Sequence, residues 1–248
     1  MFLNTTKIKP DSFASAIVKE NHRTADVFRK HGIEYCCGGN WPLETVCLNN
    51  QVSFELLKKE LEDASRIVKL PPAINYQNWN TDFLVNYIIN VHHQFLSTSL
   101  PDTEKIIREF VEGHRKQYPA MVEVLNLFLQ LQQEILPHLK YEEETIFPYI
   151  LQIAHAYENE DTYAKLLVKT LRKPLGAIMK HEENTLTELV LNIRQATSNY
   201  TVQEKSCLSY SLILSRLAEL DHDLLQHIYL ENNVLFPRAL LIEAELLK

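Results

Sequence analysis

The spacing of apolar residues after residue 80 most constrains how this chain can fold. Apolar side chains recur there at intervals of three and four residues, which places them on one face of an α-helix. The 248 residues include only five glycines, and three of these lie close together at Gly32, Gly38 and Gly39. Glycine interrupts helices, so its scarcity elsewhere agrees with the helical spacing. The sequence therefore predicts an all-α protein.

A segment rich in proline and polar residues divides the predicted helices into two groups. In KLPPAINYQNWN, Pro71 and Pro72 disfavour helix, and Asn and Gln replace the apolar positions. We therefore predict a small helical N-terminal domain over residues 1–70, a linker over 71–80 and a second domain over 81–248. Four long helices with short connections in the second domain predict an antiparallel four-helix bundle.

Local residues indicate where three of the long helices begin. Thr81 is placed to cap the first of them, and Pro174 suits the first position of the third. The run Thr201-Val202-Gln203-Glu204 has the spacing of a capping box before the fourth helix.

Charge and apolar run length exclude several classes of partner and location. A formal net charge of -7 repels a phosphate backbone, so we expect neither nucleic acid nor an anionic membrane surface as a partner. No apolar run approaches the roughly 18 residues that span a bilayer, and MFLNTTKIKPDS lacks the apolar stretch of a signal peptide. We therefore expect a cytoplasmic protein. The four cysteines are too few for a disulfide framework, which favours reduced thiols.

One sequence frame occurs twice in the predicted bundle. HLKYEEETIFP begins at His138 and HIYLENNVLFP begins at His227, with His first, Glu fifth and Phe-Pro last in both copies. Four residues advance about 6 Å along a helix, so each His lies one turn from its Glu, Glu142 or Glu231, on the same face. Each pair can therefore bind one metal centre.

Two single histidines extend this pattern. His93 lies 45 residues before His138, and His181 lies 46 residues before His227. In an antiparallel bundle, a separation of this length can bring the chain back to the same level on the next helix. His92 competes with His93, because both can reach the core face and spacing alone does not choose between them. Any single one of these side chains could be an ordinary polar residue at the edge of the bundle. The complete set of six, with its repeated spacing, is poorly explained in that way. The sequence thus predicts a site of four imidazoles and two carboxylates.

The donor atoms indicate which metal such a site binds. Nitrogen with carboxylate oxygen suits iron or manganese, whereas structural zinc favours thiolates, and magnesium or calcium favours oxygen alone. If both glutamates bridge, each of two irons holds two histidines and two oxygens, with room for an oxo bridge and an exogenous ligand. A ferritin-like site needs Glu-x-x-His twice, and only Glu219-x-x-His222 fits. Glu134 and Asp223 could line an entrance or support the ligands, although solvated helix charges explain them equally well.

These motifs resemble a known family. The two frames, the second running on as HIYLENNVLFPRAL, resemble hemerythrin-like di-iron proteins. The stretch FRKHGIEYCCGGN, residues 28–40, resembles the short N-terminal Cys-Cys-Gly-Gly domain of the repair of iron centres group. The resemblance covers nearly the whole chain and prefers His93 to His92, because the family's histidine precedes a Leu-Pro at this distance. It implies a hemerythrin-like bundle with two oxo-bridged iron ions, and it implies these iron ligands: His93, His138, Glu142, His181, His227 and Glu231.

The same resemblance implies a function. It implies a cytoplasmic stress protein that restores iron-sulfur clusters and other iron centres damaged by nitric oxide or peroxide, by donating iron rather than as a conventional enzyme. Cys36 and Cys37 would act as thiols in redox or iron transfer, although two small side chains beside glycines also suit a tight turn. Glu134 would line a channel or support the site, and Lys180 stands where some relatives carry an acidic residue.

The alternative function belongs to another class. In it, the chain is an enzyme or sensor that acts on nitric oxide or dioxygen at open iron positions, for instance as a nitric oxide reductase. The expected partners are accordingly damaged iron-sulfur proteins in the first case and these small molecules in the second. The sequence leaves a homodimer open.

Overall fold

A computed structural model describes residues 7–36, 41–65, 74–169, 175–203 and 206–247, without the side chains of 176–184. The prediction of an all-α protein is confirmed over these residues, where extended pairing is limited to one isolated bridge between Phe13 and Pro42. None of the described helices is both long enough and apolar enough to cross a membrane. The chain forms two compact units, and each has a hydrophobic core of its own.

The first unit comprises residues 1–74 together with 202–216. Its short helices are α1 (Ala14–Glu20), α2 (Thr24–Lys30), α3 (Leu43–Asn49) and α4 (Phe54–Ala64). These helices agree with the predicted helical character of the N-terminal domain. Gly32 follows α2 with a φ of 65°, the left-handed conformation that glycine adopts after a helix. Phe28, Leu57 and Leu61 are fully buried at the centre of this unit.

The second unit comprises residues 75–201 and 217–248, and four long helices dominate it. Three of these helices consist of two α-helical stretches joined without a break by one π-helical turn, in which hydrogen bonds span five residues instead of four. They are α5 (Thr81–Tyr87), the turn Ile88–His93 and α6 (Gln94–His114); α7 (Ala120–Tyr141), the turn Glu142–Ile146 and α8 (Phe147–Glu158); and α11 (Leu208–Leu230), the turn Glu231–Leu235 and α12 (Phe236–Leu246). The remaining helices are α9 (Ala164–Leu167) and the uninterrupted α10 (Leu175–Ala196). This arrangement agrees with the predicted bundle of four long helices.

Helix α11 contributes residues to both units. Its first part, up to Arg216, groups with the N-terminal residues, because Leu212 is 2% exposed within the core of the first unit and Leu208 packs beside it. From the sequence, we expected this stretch in the second domain with the rest of 81–248. The predicted linker at 71–80 lies partly outside the described residues, and that division stays a prediction.

Two helix starts differ from those predicted. Asn80, not Thr81, caps α5, because its side chain accepts a hydrogen bond of 2.7 Å from the N–H of Phe83. Helix α11 begins only at Leu208, so the capping box predicted at 201–204 is wrong. The chain leaves α10 through three left-handed residues, 198–200, and residues 201–203 are not helical. Pro174 lies outside the described residues.

Candidate metal centre

Four buried side chains from three of the long helices converge in the second unit. One ligand atom from each of His93, Glu142, His227 and Glu231 lies within 4.8 Å of the others, and none of these residues is more than 3% exposed. The distance from His227 Nε2 to Glu231 Oε1 is 2.8 Å. His93 Nε2 lies 3.6 Å from Glu142 Oε2 and 3.7 Å from Glu231 Oε1. We call these four residues the His–Glu cluster.

His138 lies at the edge of the His–Glu cluster. Its Nε2 is 3.2 Å from Glu142 Oε2, so the first sequence frame brings its His and Glu together as the second frame does. Its side chain is 13% exposed, more than any cluster member, and its ring centroid lies 6.2 Å from that of His227. The side chain of His181 lies outside the described residues. The structure therefore brings together five of the six predicted ligands.

The π-helical turns begin or end at ligand residues. His93 is the last residue of one turn, whereas Glu142 and Glu231 are the first residues of the other two. The N–H of Phe147 donates to the carbonyl of Glu142, five residues earlier, and Phe236 bonds in the same way to Glu231. Such turns are rare and frequently occur at functional sites.

The Phe-Pro pair of the repeated frame accounts for two of these turns. Pro148 and Pro237 follow the phenylalanines directly and have no N–H to donate, so the regular four-residue hydrogen-bond pattern cannot continue through them. The repeated frame therefore encodes the His–Glu spacing and also the local change of helix that follows each glutamate.

The distances within the His–Glu cluster fit a bound cation. His93 Nε2 and His227 Nε2 are 3.0 Å apart. With metal–nitrogen bonds of about 2.1 Å, two nitrogens at right angles on one ion lie about 3 Å apart. Without a cation, two such nitrogens can only share a proton.

The environment also favours the protonation states that bind metal. Burial lowers the pKa of His227, which favours the neutral imidazole. Burial alone would raise the pKa of Glu231, yet the hydrogen bond from His227 helps to lower that pKa below its usual range. A neutral imidazole beside a carboxylate is the form in which both groups act as metal ligands.

Neighbouring groups distinguish His93 from His92. His93 Nδ1 lies 2.9 Å from Glu143 Oε1, which leaves Nε2 directed at the cluster. His92 is equally buried, but its Nδ1 lies 3.0 Å from Asp223 Oδ1 and it is not a cluster member. Asp223 therefore supports His92 rather than a ligand. Glu143 was not predicted, because its only signal in the sequence is its place in the run Glu142-Glu143-Glu144.

Comparisons with known proteins support this interpretation of the geometry. The hemerythrin HHE cation-binding domain matches residues 85–239, and the ScdA_N domain, a domain of unknown function, matches residues 12–65. The chain belongs to the hemerythrin HHE cation-binding family. The resemblance found in the sequence is therefore confirmed, and the His–Glu cluster is the candidate metal site of this hemerythrin-type bundle.

Curated relatives of this hemerythrin-type chain align over most of its length. The iron-sulfur cluster repair protein ScdA of Staphylococcus haemolyticus is 25% identical over 93% of this chain and 99% of its own. The iron-sulfur cluster repair protein YtfE of Escherichia coli O17:K52:H18 is 28% identical over 88% of this chain and 91% of its own. Both alignments cover far more than the hemerythrin domain alone.

A surface cavity of the hemerythrin-type bundle adjoins His138. It has a volume of about 370 Å³, and its wall includes Glu134, Tyr141 and Thr185. Glu134 is exposed and lies one helical turn before His138, so its carboxylate borders the cavity without entering the His–Glu cluster. A role for Glu134 in a channel stays a prediction.

Cys36 lies in the wall of a larger groove within the first unit. The groove has a volume of about 1110 Å³, and Lys19, Glu20 and His22 line it together with several serines. The Cys36 side chain is half-buried. Cys37 lies outside the described residues, so the predicted role of the cysteine pair stays a prediction.

Proposed function

We propose that this protein repairs iron-sulfur clusters and other iron centres damaged by nitrosative or oxidative stress, by donating iron. The observation that carries the proposal is the buried His–Glu cluster, whose donor atoms suit iron. Relatives named iron-sulfur cluster repair proteins support it, since they match both the N-terminal unit and the bundle. The proposal places the protein in the cytoplasm, with damaged iron-sulfur proteins as its partners.

The proposed resident group is a pair of iron ions joined by an oxo bridge. The two frames supply one His–Glu pair each, His138 with Glu142 and His227 with Glu231, which is the donor set that two ions sharing bridging carboxylates need. Iron would supply exchangeable coordination bonds and one-electron chemistry. The chain itself holds the donors, keeps bulk water away through burial and orients His93 through Glu143.

His138 marks the proposed exit for iron. It is the most exposed of the five described ligands and adjoins the cavity that Glu134 borders. An ion held by His138 and Glu142 therefore has the shortest way to solvent. An exposed carboxylate such as Glu134 would attract a departing cation. Cys36 and Cys37 are the proposed groups that accept this iron or supply electrons.

The cavity beside His138 also favours the second candidate function. A small molecule such as nitric oxide or dioxygen could reach the metal through it, which would make the protein an enzyme or sensor rather than an iron donor. The two functions use the same residues, so only their reactions distinguish them.

One experiment compares the two reactions directly. Iron-loaded protein is mixed with an iron-sulfur enzyme whose cluster nitric oxide has damaged, and separately with nitric oxide plus a reductant. Iron donation predicts restored enzyme activity with matching loss of iron from this protein. Glu142→Ala, which we expect to bind little iron, is the control. Turnover of nitric oxide without restoration of the damaged enzyme would contradict the proposal and support the second function.

A further inference from the structure

A row of aromatic rings connects the His–Glu cluster with the surface of the second unit. The ring centroids lie 6.3 Å apart between His227 and His92, 5.4 Å between His92 and Tyr87, and 5.0 Å between Tyr87 and Trp79. These separations fall within the range of interacting ring pairs. The rings thus form a continuous series from a predicted iron ligand to Trp79.

Exposure increases along the series. His227 and His92 are buried, and Tyr87 and Trp79 are half-buried. The ring of Phe83, whose side chain is 52% exposed, packs against Trp79 at 4.7 Å. The end of the series at Trp79 is therefore accessible to a small reductant in solution, whereas the end at His227 is not.

Hydrogen bonds hold the outer end of the series in place. Arg238 Nη1 donates to the carbonyl oxygen of Trp79 at 2.6 Å. Tyr76 packs edge-on against Trp79 at 4.9 Å, and its hydroxyl accepts a bond of 2.9 Å from Gln226 Nε2. The position of Trp79 is thus fixed by groups from the last long helix, which also carries His227 and Glu231.

Apolar packing explains only part of this arrangement. Tyr87 and Trp79 pack against the bundle core, as any large side chain at these positions would. His92 is different, because its imidazole is 1% exposed and burying a polar ring is costly. Asp223 satisfies its Nδ1, but His92 is not a member of the His–Glu cluster. What His92 adds is an aromatic ring between Tyr87 and His227.

We propose that His92, Tyr87 and Trp79 form an electron-transfer path between the metal centre and the surface, with Trp79 as its outer end. The inference rests on the proposed iron centre. Its co-reactants are hydrogen peroxide at the metal and a small thiol at the surface. The path supplies single electrons to the centre. The oxidant at the metal is therefore reduced before it can oxidise the iron ligands.

The electrons and protons balance as follows. Hydrogen peroxide needs two electrons and two protons to become two water molecules. Iron held at the centre in a partly oxidised state would supply the first electron, and Trp79 supplies the second through Tyr87 and His92. The indole N–H of Trp79 releases one proton, solvent supplies the other, and a neutral indole radical remains. A thiol then returns one hydrogen atom to Trp79, and the thiyl radicals from two such reactions combine to a disulfide.

The experiment detects the radical rather than turnover. Iron-loaded protein, partly oxidised beforehand, is mixed with hydrogen peroxide, frozen within milliseconds and examined by electron paramagnetic resonance. The protein carries tryptophan deuterated on the ring, so that an indole radical gives a narrowed signal. The chain has two tryptophans, and Trp41, 63% exposed in the first unit, is the matched control for Trp79. Peptide mass spectrometry locates the oxidised residue after reaction without thiol.

We expect an indole radical that Trp79→Phe abolishes and Trp41→Phe leaves unchanged. Tyr87→Phe, which removes only the phenol oxygen, should lower its yield severalfold. Thiol should shorten its lifetime, and oxidation products should concentrate at Trp79. A radical that persists in Trp79→Phe, or none in wild-type protein with normal iron content, would overturn the path and leave the iron centre intact. A chain that binds no iron at all would instead overturn the proposed centre, and the path with it.

Discussion

At the scale of single residues, adjacent His92 and His93 have different partners and should have different roles. Both are buried, but only His93 places a ring nitrogen within the His–Glu cluster, 3.0 Å from His227 Nε2. His93→Ala should therefore lose most of its bound iron, whereas His92→Ala should keep it. Iron content per chain, measured on protein whose helicity is checked by circular dichroism, tests this. Equal iron loss in both variants would contradict the assignment of His93.

The three glutamates near the frames should also separate into two groups. Glu142 and Glu231 are buried in the cluster, and Glu134 is exposed beside it. Losing a bridging carboxylate removes a bond to each metal ion, whereas losing an outer partner typically changes metal affinity by about 10- to 100-fold. Glu142→Ala and Glu231→Ala should thus lower iron affinity more than Glu134→Ala. Titration of the iron-free variants with ferrous iron measures the affinities, and three equal losses would refute the bridging role.

What the sequence could predict at this scale depended on distance along the chain. His138 with Glu142, and His227 with Glu231, are local pairs, and a helix brings such residues together whatever surrounds it. The choice between His92 and His93 depends instead on Glu143 and Asp223, which lie on other helices, so spacing alone could not make it. Glu143 was missed for the same reason.

At the scale of elements, the sequence predicted helices better than their local form. The three-and-four spacing of apolar residues identified the long helices, because burying one apolar face is what stabilises them. It did not reveal the π-helical turns at His93, Glu142 and Glu231, since one additional residue in a turn barely disturbs that spacing. The phenylalanine-proline pairs were the available signal for two of these turns.

Helix α11 offers a matched test of the first unit's core. Leu212 is 2% exposed among the residues of that core, whereas Leu225, on the same helix, is 44% exposed. Leu212→Ala should lower the free energy of unfolding by about 2–5 kcal/mol, because it leaves a cavity. Leu225→Ala should change it by no more than about 0.5 kcal/mol. Urea denaturation followed by circular dichroism measures both, and similar midpoints would show that Leu212 is not a core residue.

At the scale of the whole molecule, the second unit should fold without the N-terminal residues. Every predicted iron ligand lies beyond residue 70, and this unit has its own core. A chain of residues 71–248 should therefore remain helical and bind iron. It would expose Leu212, so we expect it to self-associate unless Leu212→Gln accompanies the deletion. Circular dichroism, iron content and gel filtration test these points, and loss of helicity in the double variant would refute independent folding.

The N-terminal unit should matter for repair rather than for iron binding. Neither Cys36 nor Cys37 belongs to the predicted ligand set, and iron held by histidine and glutamate needs no thiolate. Replacing both by Ser should leave iron content unchanged. Restoration of a nitric-oxide-damaged iron-sulfur enzyme should nevertheless slow, because an iron that leaves a buried site needs an acceptor and two adjacent sulfurs offer soft ligands or electrons.

Cys207→Ser provides the matched control for the cysteine variant, since Cys207 is another half-buried cysteine of the first unit. At equal iron content it should restore the damaged enzyme at the wild-type rate. If the double variant at Cys36 and Cys37 matches that rate as well, the pair has a structural role in its glycine-flanked segment. Iron would then leave the bundle without help from the N-terminal thiols. Direct chemistry on nitric oxide or dioxygen at the metal would become the better account of the protein.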